Sequence, residues 1–394
     1  MKKIRLGDAC DILNGFAFKS ENYVDSGIRV IRIANVQKGY IEDNTPAFYP
    51  LETNELDRYM LEEGDLLMSL TGNVGRVAIL KKEFMPAALN QRVACLRLKT
   101  DRITKDYLFH VLNSDFFEQQ CIQSSKGVAQ KNMSTEWLKD YEIPMYSKEQ
   151  QESIAYILDK TKNIIISQNH ELQKLDNLIK ARFVEMFGDA VANPMNWPVK
   201  KLKDLSVQIN SGNTPKGGSE NYVKDGITFF RSQNVWKDRL EMDDIAYIDV
   251  ETHESMKRSS LKHGDILMTK TGRINTENSS LGRAALYMGE DDMANVNGHV
   301  YFIRLKPEVN NKFVLRILVS PEYRDLIRRV CVGGIDKRQL NKEHIEDFPI
   351  ICPPSDMIDE YVAFADQVNK SKVIDTNIIP RGGFYNGNEF CISK

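Results

Sequence analysis

Apolar residues recur at seven-residue spacing between Lys148 and Phe187, a segment that contains no proline or glycine. This spacing places them along one side of an α-helix, and a stripe of this kind is typical of a coiled coil. At 1.5 Å per residue, about 40 residues would form a rod of roughly 60 Å. The residues of this predicted helix seam are Leu158, Ile165, Leu172, Ile179 and Met186.

A second amphipathic pattern begins after Pro353 and Pro354 and is shorter. It is lost from Ile374 onward, and the segment from Pro380 to Gly383 cannot continue a helix. We therefore predict a long central spacer helix over 148–188, a short distal spacer helix over 355–373, and an atypical tail over 374–394.

The rest of the chain consists of short β-rich runs and brief helical stretches, and its pattern occurs twice. The run Gly64–Gly72 matches Gly264–Gly272 at an offset of 200 residues, and Gly75-Arg76 matches Gly282-Arg283 at 207. A polar insertion within 273–280 accounts for the difference. We interpret the copies as two repeated mixed α/β domains, over 1–147 and 189–354, in a chain of the α+β class.

Composition restricts the kind of partner and compartment. The chain has 53 Lys and Arg against 55 Asp and Glu, so any affinity for nucleic acid must come from local patches. The six cysteines are scattered, which is typical of reduced thiols in a cytosol. With no apolar leader and no apolar run of about 20 residues, we expect a soluble, cytoplasmic protein without a membrane segment.

The loop after the run Gly64–Ser69 is the first candidate site. Arginine can bind guanine in a fork and asparagine can bind adenine, while glycines permit close backbone approach. An ordinary solvated hairpin is the alternative. The candidates are Thr71, Gly72, Asn73, Gly75 and Arg76, with Thr271, Gly272, Arg273 and Arg283 in the second copy.

Three further groups of polar residues occupy equivalent places in the two copies. Gln91 and Arg92 differ from Gly298 and His299, as expected if the copies read different sequences, whereas the shared Asn90 and Asn297 suggest turn-forming residues. Basic loops after glycines suit phosphate contact, although a solvent-facing loop is nearly as plausible. Arg32 and Arg231 contact either DNA or a buried carboxylate. The remaining candidates are Asn35, Gln130, Lys131, Asn234, Lys337 and Arg338.

The duplication, the repeated G-D-[LI]-L-M-[ST]-x-T-G segment and the interleaved helix together resemble the specificity subunits of type I restriction–modification systems. The resemblance covers about residues 1–373. It implies that each repeat is a target recognition domain that reads one half of a split double-stranded DNA site. It also implies that the two long helices pair antiparallel and dock two methyltransferase subunits, which restriction/translocase subunits then join.

The resemblance implies no catalysis and no cofactor in this chain; S-adenosylmethionine, ATP and Mg would belong to the partner subunits. The sequence lacks an N-P-P-[YF] tetrad, to which Cys352-Pro353-Pro354-Ser355 comes nearest, and it lacks a phosphate-binding loop. Its six histidines show no metal-ligand spacing, and we expect His253 and His263 to be exposed. A stand-alone enzyme and a duplicated protein scaffold are the rival interpretations.

One feature departs from the family pattern. The family normally has a second long helix that matches the first, whereas the helical pattern here is lost near Val373. Part of the stripe from Leu172 to Met186 would then lack its partner and be exposed or covered by another protein. The alternative function is a truncated or silent variant that binds methyltransferase only, as a scaffold.

Overall fold

A computed structural model of the chain describes residues 2–51, 54–125, 132–274, 276, 278–376, 383–386 and 389–392. The chain forms two compact units that divide between Glu171 and Leu172. Both are mixtures of short strands and helices, which confirms the predicted fold class. None of the helices in this described part of the chain is long and apolar enough to cross a membrane.

The first unit contains a four-stranded sheet in the order β2-β10-β7-β8 and a three-stranded sheet in the order β6-β3-β9. Two-stranded pairs join β1 to β11 and β4 to β5. Its strands are β1 (Lys3–Arg5), β2 (Cys10–Asn14), β3 (Ile28–Ile31), β4 (Val36–Gln37), β5 (Tyr40–Ile41), β6 (Phe48–Tyr49), β7 (Leu66–Ser69), β8 (Val77–Ile79), β9 (Ala87–Leu89), β10 (Val93–Leu98) and β11 (Glu142–Pro144). Its helices are α1 (Leu6–Ala9), α2 (Lys105–Leu112), α3 (Asp115–Ser124), α4 (Thr135–Asp140) and the start of α5 (Lys148–Phe187).

The second unit repeats this order. Its sheets are β13-β20-β16-β18 and β15-β14-β19, with β12 paired to β23, and an additional sheet has the order β17-β22-β21. The strands are β12 (Val199–Lys201), β13 (Ser206–Ser211), β14 (Ile227–Phe230), β15 (Ala246–Ile248), β16 (Ile266–Thr269), β17 (Thr271–Arg273), β18 (Ala284–Leu286), β19 (Ala294–Val296), β20 (Val300–Leu305), β21 (Val332–Gly333), β22 (Lys337–Gln339) and β23 (Pro349–Ile351). The helices are α6 (Leu202–Leu205), α7 (Val250–Ser255), α8 (Asn311–Leu318), α9 (Pro321–Val330), α10 (Lys342–Glu346) and α11 (Ser355–Thr376).

The apolar run of the repeated motif is the central strand of each larger sheet. All four residues of β7 are buried, because the strand has a hydrophobic cluster on each face. Leu66 and Met68 contact the cluster that includes α2 and α3, whereas Leu67 contacts the cluster on the other face. Apolar residues on both faces explain a continuous hydrophobic run in place of an alternating one. Ile266, Leu267 and Met268 of β16 divide between two clusters in the same way.

Helix α5 spans the predicted central helix as one element of 40 residues. Its last part packs antiparallel against α11, since Arg182 pairs with Glu360 at 2.6 Å and Asp176 pairs with Lys372 further along. The Phe183 ring lies 5.4 Å from the Tyr361 ring, measured between centroids.

The seam residues of α5 differ in burial. Ile179 and Met186 are buried in the second unit and Leu172 is half-buried. In the first unit Leu158 is 43% exposed, and Ile165 is half-buried. In the portions of the chain that the structure describes, the seam is therefore a buried helix contact along its later part. The expectation that part of the stripe from Leu172 to Met186 is left without a partner is wrong for Ile179 and Met186, which share a core cluster with α11.

The distal helix α11 ends at Thr376, three residues beyond the 373 expected from the sequence. In the segment that was expected to be an atypical tail, β24 (Gly383–Asn386) pairs antiparallel with β25 (Glu389–Ile392).

A buried ion pair holds the central strand of each larger sheet. Asp65 precedes β7 and accepts two hydrogen bonds from Arg97 of β10, at 2.9 and 2.7 Å. Asp265 and Arg304 make the same contact in the second unit, at 3.0 and 2.7 Å. The hydrogen bonds to Asp65 raise the pKa of the Arg97 guanidinium, so this arginine stays charged. Each carboxylate also accepts a backbone N–H, from Glu62 or Lys262.

We expect Asp265→Ala to lower the free energy of unfolding by about 1–3 kcal/mol, because it leaves the guanidinium of Arg304, which is 22% exposed, and the N–H of Lys262 without their acceptor. Urea unfolding followed by tryptophan fluorescence measures this loss. Glu254→Ala is the control, since it removes an exposed pair with Lys257 and should cost less than about 1 kcal/mol. Equal losses in the two variants would contradict a special role for the buried pair.

Candidate nucleic-acid interface

In the second unit, three of the predicted polar segments meet where β16 ends. The N–H of Lys270 donates to the His299 carbonyl at 2.8 Å, and the Lys270 carbonyl accepts from the N–H of Leu340 at 2.8 Å. The next residues, β17, pair with β22 in the register Gly272↔Arg338 and Arg273↔Lys337. The loop after the motif, the strand-opening turn and the basic segment therefore form one surface.

The first unit has the same arrangement where β7 ends. The N–H of Leu70 donates to the Arg92 carbonyl at 3.0 Å, and its carbonyl accepts from Met133 at 2.9 Å. Thr71 forms an isolated antiparallel bridge with Asn132. Gln130 and Lys131 lie outside the described residues, so their predicted role stays a prediction. Thr71 and Arg92 come together as Thr271 and His299 do.

Several candidate side chains on these two surfaces are open to solvent. Arg273 makes an exposed ion pair of 3.2 Å with Asp336. Arg338 is half-buried, and its guanidinium donates to the carbonyls of Gly334 and Cys331. Arg76 is also half-buried and donates to Gln37. The exposed candidates are Gly72, Asn73, Gln91, Arg92, Arg273, His299 and Lys337.

Two candidate asparagines are internal. Asn35 is 3% exposed; its amide oxygen accepts the N–H of Arg32 and its amide nitrogen donates to Glu42 and Asp43. Asn234 makes matching bonds to Arg231, Glu241 and Asp244 and is 1% exposed. Because these bonds engage both ends of each amide, the expected base contacts of Asn35 and Asn234 are not supported by this geometry.

Arg283 is also internal, against the expectation that it contacts DNA. Its Nε donates to the Ser279 carbonyl at 3.1 Å, and its guanidinium lies 3.8 Å over the centre of the Trp236 ring. Burial lowers the pKa of this arginine, and the nearby Arg324 lowers it further. The side chain holds the insertion of the second copy against the unit.

For Arg32 and Arg231, the sequence allows either a contact with DNA or a pair with a buried carboxylate. Arg231 pairs with the carboxylate of Asp244 at 3.1 Å and also donates to the Asp244 carbonyl. Arg32 donates to the carbonyl of Thr45. Arg231 therefore pairs with a carboxylate, but the Asp244 side chain is 76% exposed, so this is not the buried pair that the sequence allowed.

Two candidate glycines are required by packing. A Cβ built on Gly75 would lie 2.7 Å from the Cys121 sulfur, and one on Gly272 would lie 2.3 Å from the backbone nitrogen of Leu281. Gly75 also has a φ of +80°, which favours glycine. The side-chain hydroxyl oxygen of Thr71 is buried beside this loop without a hydrogen-bond partner. The candidates chosen by their position in the sequence therefore include residues that only shape the loop.

The shared asparagines at the strand-opening turn are turn-forming, as the sequence suggested. The Asn90 side chain accepts the N–H of Arg92 at 3.1 Å, and the Asn297 side chain accepts the N–H of His299 at 2.6 Å. Each turn thus presents the residue two positions after its asparagine on the same backbone. This residue is Arg92 in one unit and His299 in the other.

One further segment at this surface was missed by the sequence analysis. It follows β13, where Gly212 approaches the Val296 carbonyl so closely that an added Cβ would lie 1.9 Å away. The exposed Thr214 follows and lies beside Gly298. The signal was available: Ser20–Val24 and Ser219–Val223 are identical in sequence, and both follow this segment.

The described residues include no group of three or more His, Cys, Asp or Glu that could hold a metal ion. Burial raises the pKa of the Cys10 and Cys121 thiols to about 12, so both stay protonated at neutral pH. The expected exposure of His253 is wrong. Its ring is 4% exposed because α7 turns it inward against the amide of Asn295.

We expect Asn234→Ala to lower the stability of the second unit by about 1–3 kcal/mol, since it leaves buried backbone groups unpaired. Asn73→Ala, at an exposed side chain, should change stability by less than about 0.5 kcal/mol. Urea unfolding of the two variants compares them. An unchanged stability for Asn234→Ala would show that its internal bonds do not matter and would return it to the candidate DNA contacts.

Comparison with known proteins identifies the class. Residues 1–177 match the family model described as the type I restriction modification DNA specificity domain. The chain is similar to type I restriction enzyme specificity subunits.

Among its relatives, the MjaVIII specificity subunit of Methanocaldococcus jannaschii is 29% identical over 182 residues, 45% of this chain and 43% of the relative. The EcoBI specificity subunit of Escherichia coli is 24% identical over 297 residues, 69% of this chain and 60% of the relative. The chain thus aligns with less than two thirds of these two proteins. The StySPI specificity subunit of Salmonella potsdam is 21% identical over 91% of this chain and 81% of the relative.

Solved structures share the fold. The S subunit of a type I restriction-modification system from M. genitalium has a TM-score of 0.54 at 14% identity, covering 96% of this chain and 93% of that one. A chain from a structure of type I R-M complex assembly and conformational transition has a TM-score of 0.54 at 16% identity, covering 96% and 92%. At these identities the likeness concerns the fold.

Proposed function

We propose that this protein selects the DNA target of a type I restriction–modification complex, each repeated unit reading one half of a bipartite double-stranded site. As a specificity subunit it is a non-catalytic recognition component. The observation that carries the proposal is the repeated surface: in each unit the loop after the motif meets the strand-opening turn at one strand end, and in the second unit the basic segment joins them.

The variable, exposed side chains on that frame are the proposed base readers. Arg92 and His299 occupy the same backbone position with different chemistry, since arginine binds guanine through two donors and histidine cannot form that fork. Gln91 and Asn73 add exposed amides in the first unit. Two units with different readers would recognise two different half-sites.

Basic side chains beside the readers are the proposed phosphate contacts. Lys337 is exposed on β22, and Arg273 lies opposite it on β17. Phosphate contacts position a protein on DNA without reading sequence. Because the net charge of the chain is −2, such local patches would have to supply its own electrostatic attraction to DNA.

Helix α5 is the proposed dock for two methyltransferase subunits, which restriction/translocase subunits then join in the cytoplasm. Support comes from its apolar exposure: Tyr156 is 62% exposed, Ile157 57% and Leu158 43%. Exposed apolar side chains concentrated in one stretch of a helix favour an interaction site. Methylation and cleavage, with their S-adenosylmethionine, ATP and Mg, would belong to those partners.

We expect cells that carry this protein with its methyltransferase to show a split methylated motif by long-read modification sequencing. Exchange of residues 1–147 for the same domain of a relative should change one half of that motif and leave the other half intact. A matched exchange of 189–354 should change the other half. If either exchange alters both halves together, one unit does not read one half-site.

We expect Leu158→Asp to weaken binding of the methyltransferase without destabilising the chain, since the side chain is already 43% exposed. Ile179→Asp should instead unfold the second unit, because it places a carboxylate at a site only 6% exposed. Sedimentation of the assembled complex and urea unfolding separate the two effects. Asn163→Asp, at an exposed polar position of α5, is the control, and assembly as complete with Leu158→Asp as with this control would remove α5 as the dock.

A further inference from the structure

The tip of one hairpin in the second unit carries an unusually exposed aliphatic side chain. Strands β21 and β22 are joined by Gly334, Ile335 and Asp336, and Ile335 is 90% exposed. The next most exposed large hydrophobic residues among those the structure describes, Leu51 and Phe116, reach 67%. Apolar surface in water is unfavourable in free energy, so exposure to this degree suggests a functional contact at the tip.

Hydrogen bonds and an ion pair hold the hairpin tip on both sides of Ile335, whose side chain faces solvent. The Arg338 guanidinium donates to the Gly334 carbonyl at 3.3 Å, and the N–H of Ile274 donates to the Asp336 carbonyl at 3.3 Å. Arg273 pairs with the Asp336 carboxylate at 3.2 Å. Gly333 has a φ of +131°, and a Cβ there would lie 2.8 Å from the Lys337 carbonyl. These contacts fix the turn around Ile335 on both sides.

The surroundings of Ile335 match the major groove of DNA. A two-stranded ribbon fits the major groove, which is about 12 Å wide. The apolar group that a base edge presents in the major groove is the C5-methyl of thymine. Lys337 is two residues away along the hairpin, where its charge suits the adjacent phosphates.

The sequence repeats this feature. At the offset of 207 residues that relates the later parts of the copies, Gly334-Ile335 corresponds to Gly127-Val128 and the basic Arg338 corresponds to Lys131, whereas Lys337 corresponds to Gln130. Residues 127 and 128 lie outside the described part of the chain, so this is a correspondence of sequence only. A branched aliphatic residue at the same place in both copies favours a shared use.

We propose that Ile335 contacts the C5-methyl of a thymine in the half-site read by the second unit. The proposal rests on the proposed DNA-reading function and adds a specificity-determining residue to it. It identifies one base by its chemistry: a pyrimidine that carries a 5-methyl group.

The test uses the assembled methylase and duplexes of its sequenced target, with binding measured by fluorescence anisotropy at one salt concentration. Each thymine of the second half-site is replaced singly by deoxyuracil, which removes only the methyl group. We expect one replacement to weaken binding by about four-fold, the effect of one buried methyl group. Ile335→Ala should weaken binding to the thymine duplex. This variant should bind the thymine and deoxyuracil duplexes equally well.

Two controls separate methyl recognition from general effects. Lys337→Gln should weaken binding to both duplexes equally and reduce the salt dependence by about one unit of slope. Val250→Ala, at another exposed aliphatic residue of the second unit, should leave binding and the thymine preference unchanged.

The outcomes distinguish the two proposals. Absence of any sequence-specific binding by the assembled methylase would reject the proposed function itself. Specific binding with no sensitivity to deoxyuracil, a second half-site without thymine, or an Ile335→Ala complex that keeps the thymine preference would reject the methyl contact alone. A loss of DNA bending in Ile335→Ala, with thymine and deoxyuracil still equivalent in the wild type, would replace it by a wedge between base steps.

Discussion

The buried pair between an aspartate and an arginine organises each unit. Asp65 and Asp265 stand directly before a central strand whose residues are apolar on both faces. Such a strand has no polar alternation to specify its register, and a slip of one residue would exchange its two hydrophobic faces. A two-pronged contact to Arg97 or Arg304 of the neighbouring strand determines which residues face each other. The loops at the far end of the strand depend on that register.

The two units use one backbone frame with different side chains on it. Paired internal residues, Asn35 with Asn234 and Asn90 with Asn297, make the same hydrogen bonds in both copies. Exposed positions between them have diverged, as Arg92 and His299 show. A frame that is independent of its exposed residues allows recognition to change without loss of the fold, because surface substitutions away from such contacts cost little stability.

Helix α5 places one sequence pattern in two different environments. Ile179 and Met186 are part of the core of the second unit, where aromatic residues of α5 and α11 pack edge to face. Leu158, at the same heptad position, is largely exposed. A heptad repeat indicates which side of a helix is apolar, but it does not indicate what covers that side.

The sequence by itself determined the duplication, the long helix and the apolar central strands, since heptad spacing and apolar runs are local properties. It also identified three of the segments that form the candidate surface, but not the one that follows β13. Only the tertiary structure decided that these segments meet, because the pairing of Thr271–Arg273 with Lys337–Gln339 joins residues far apart along the chain. It likewise decided which candidates are internal: Asn234 and Arg283 have the residue types of base readers, but burial and hydrogen bonding direct them inward. The exposure of a side chain depends on everything packed around it, and no local pattern contains that information.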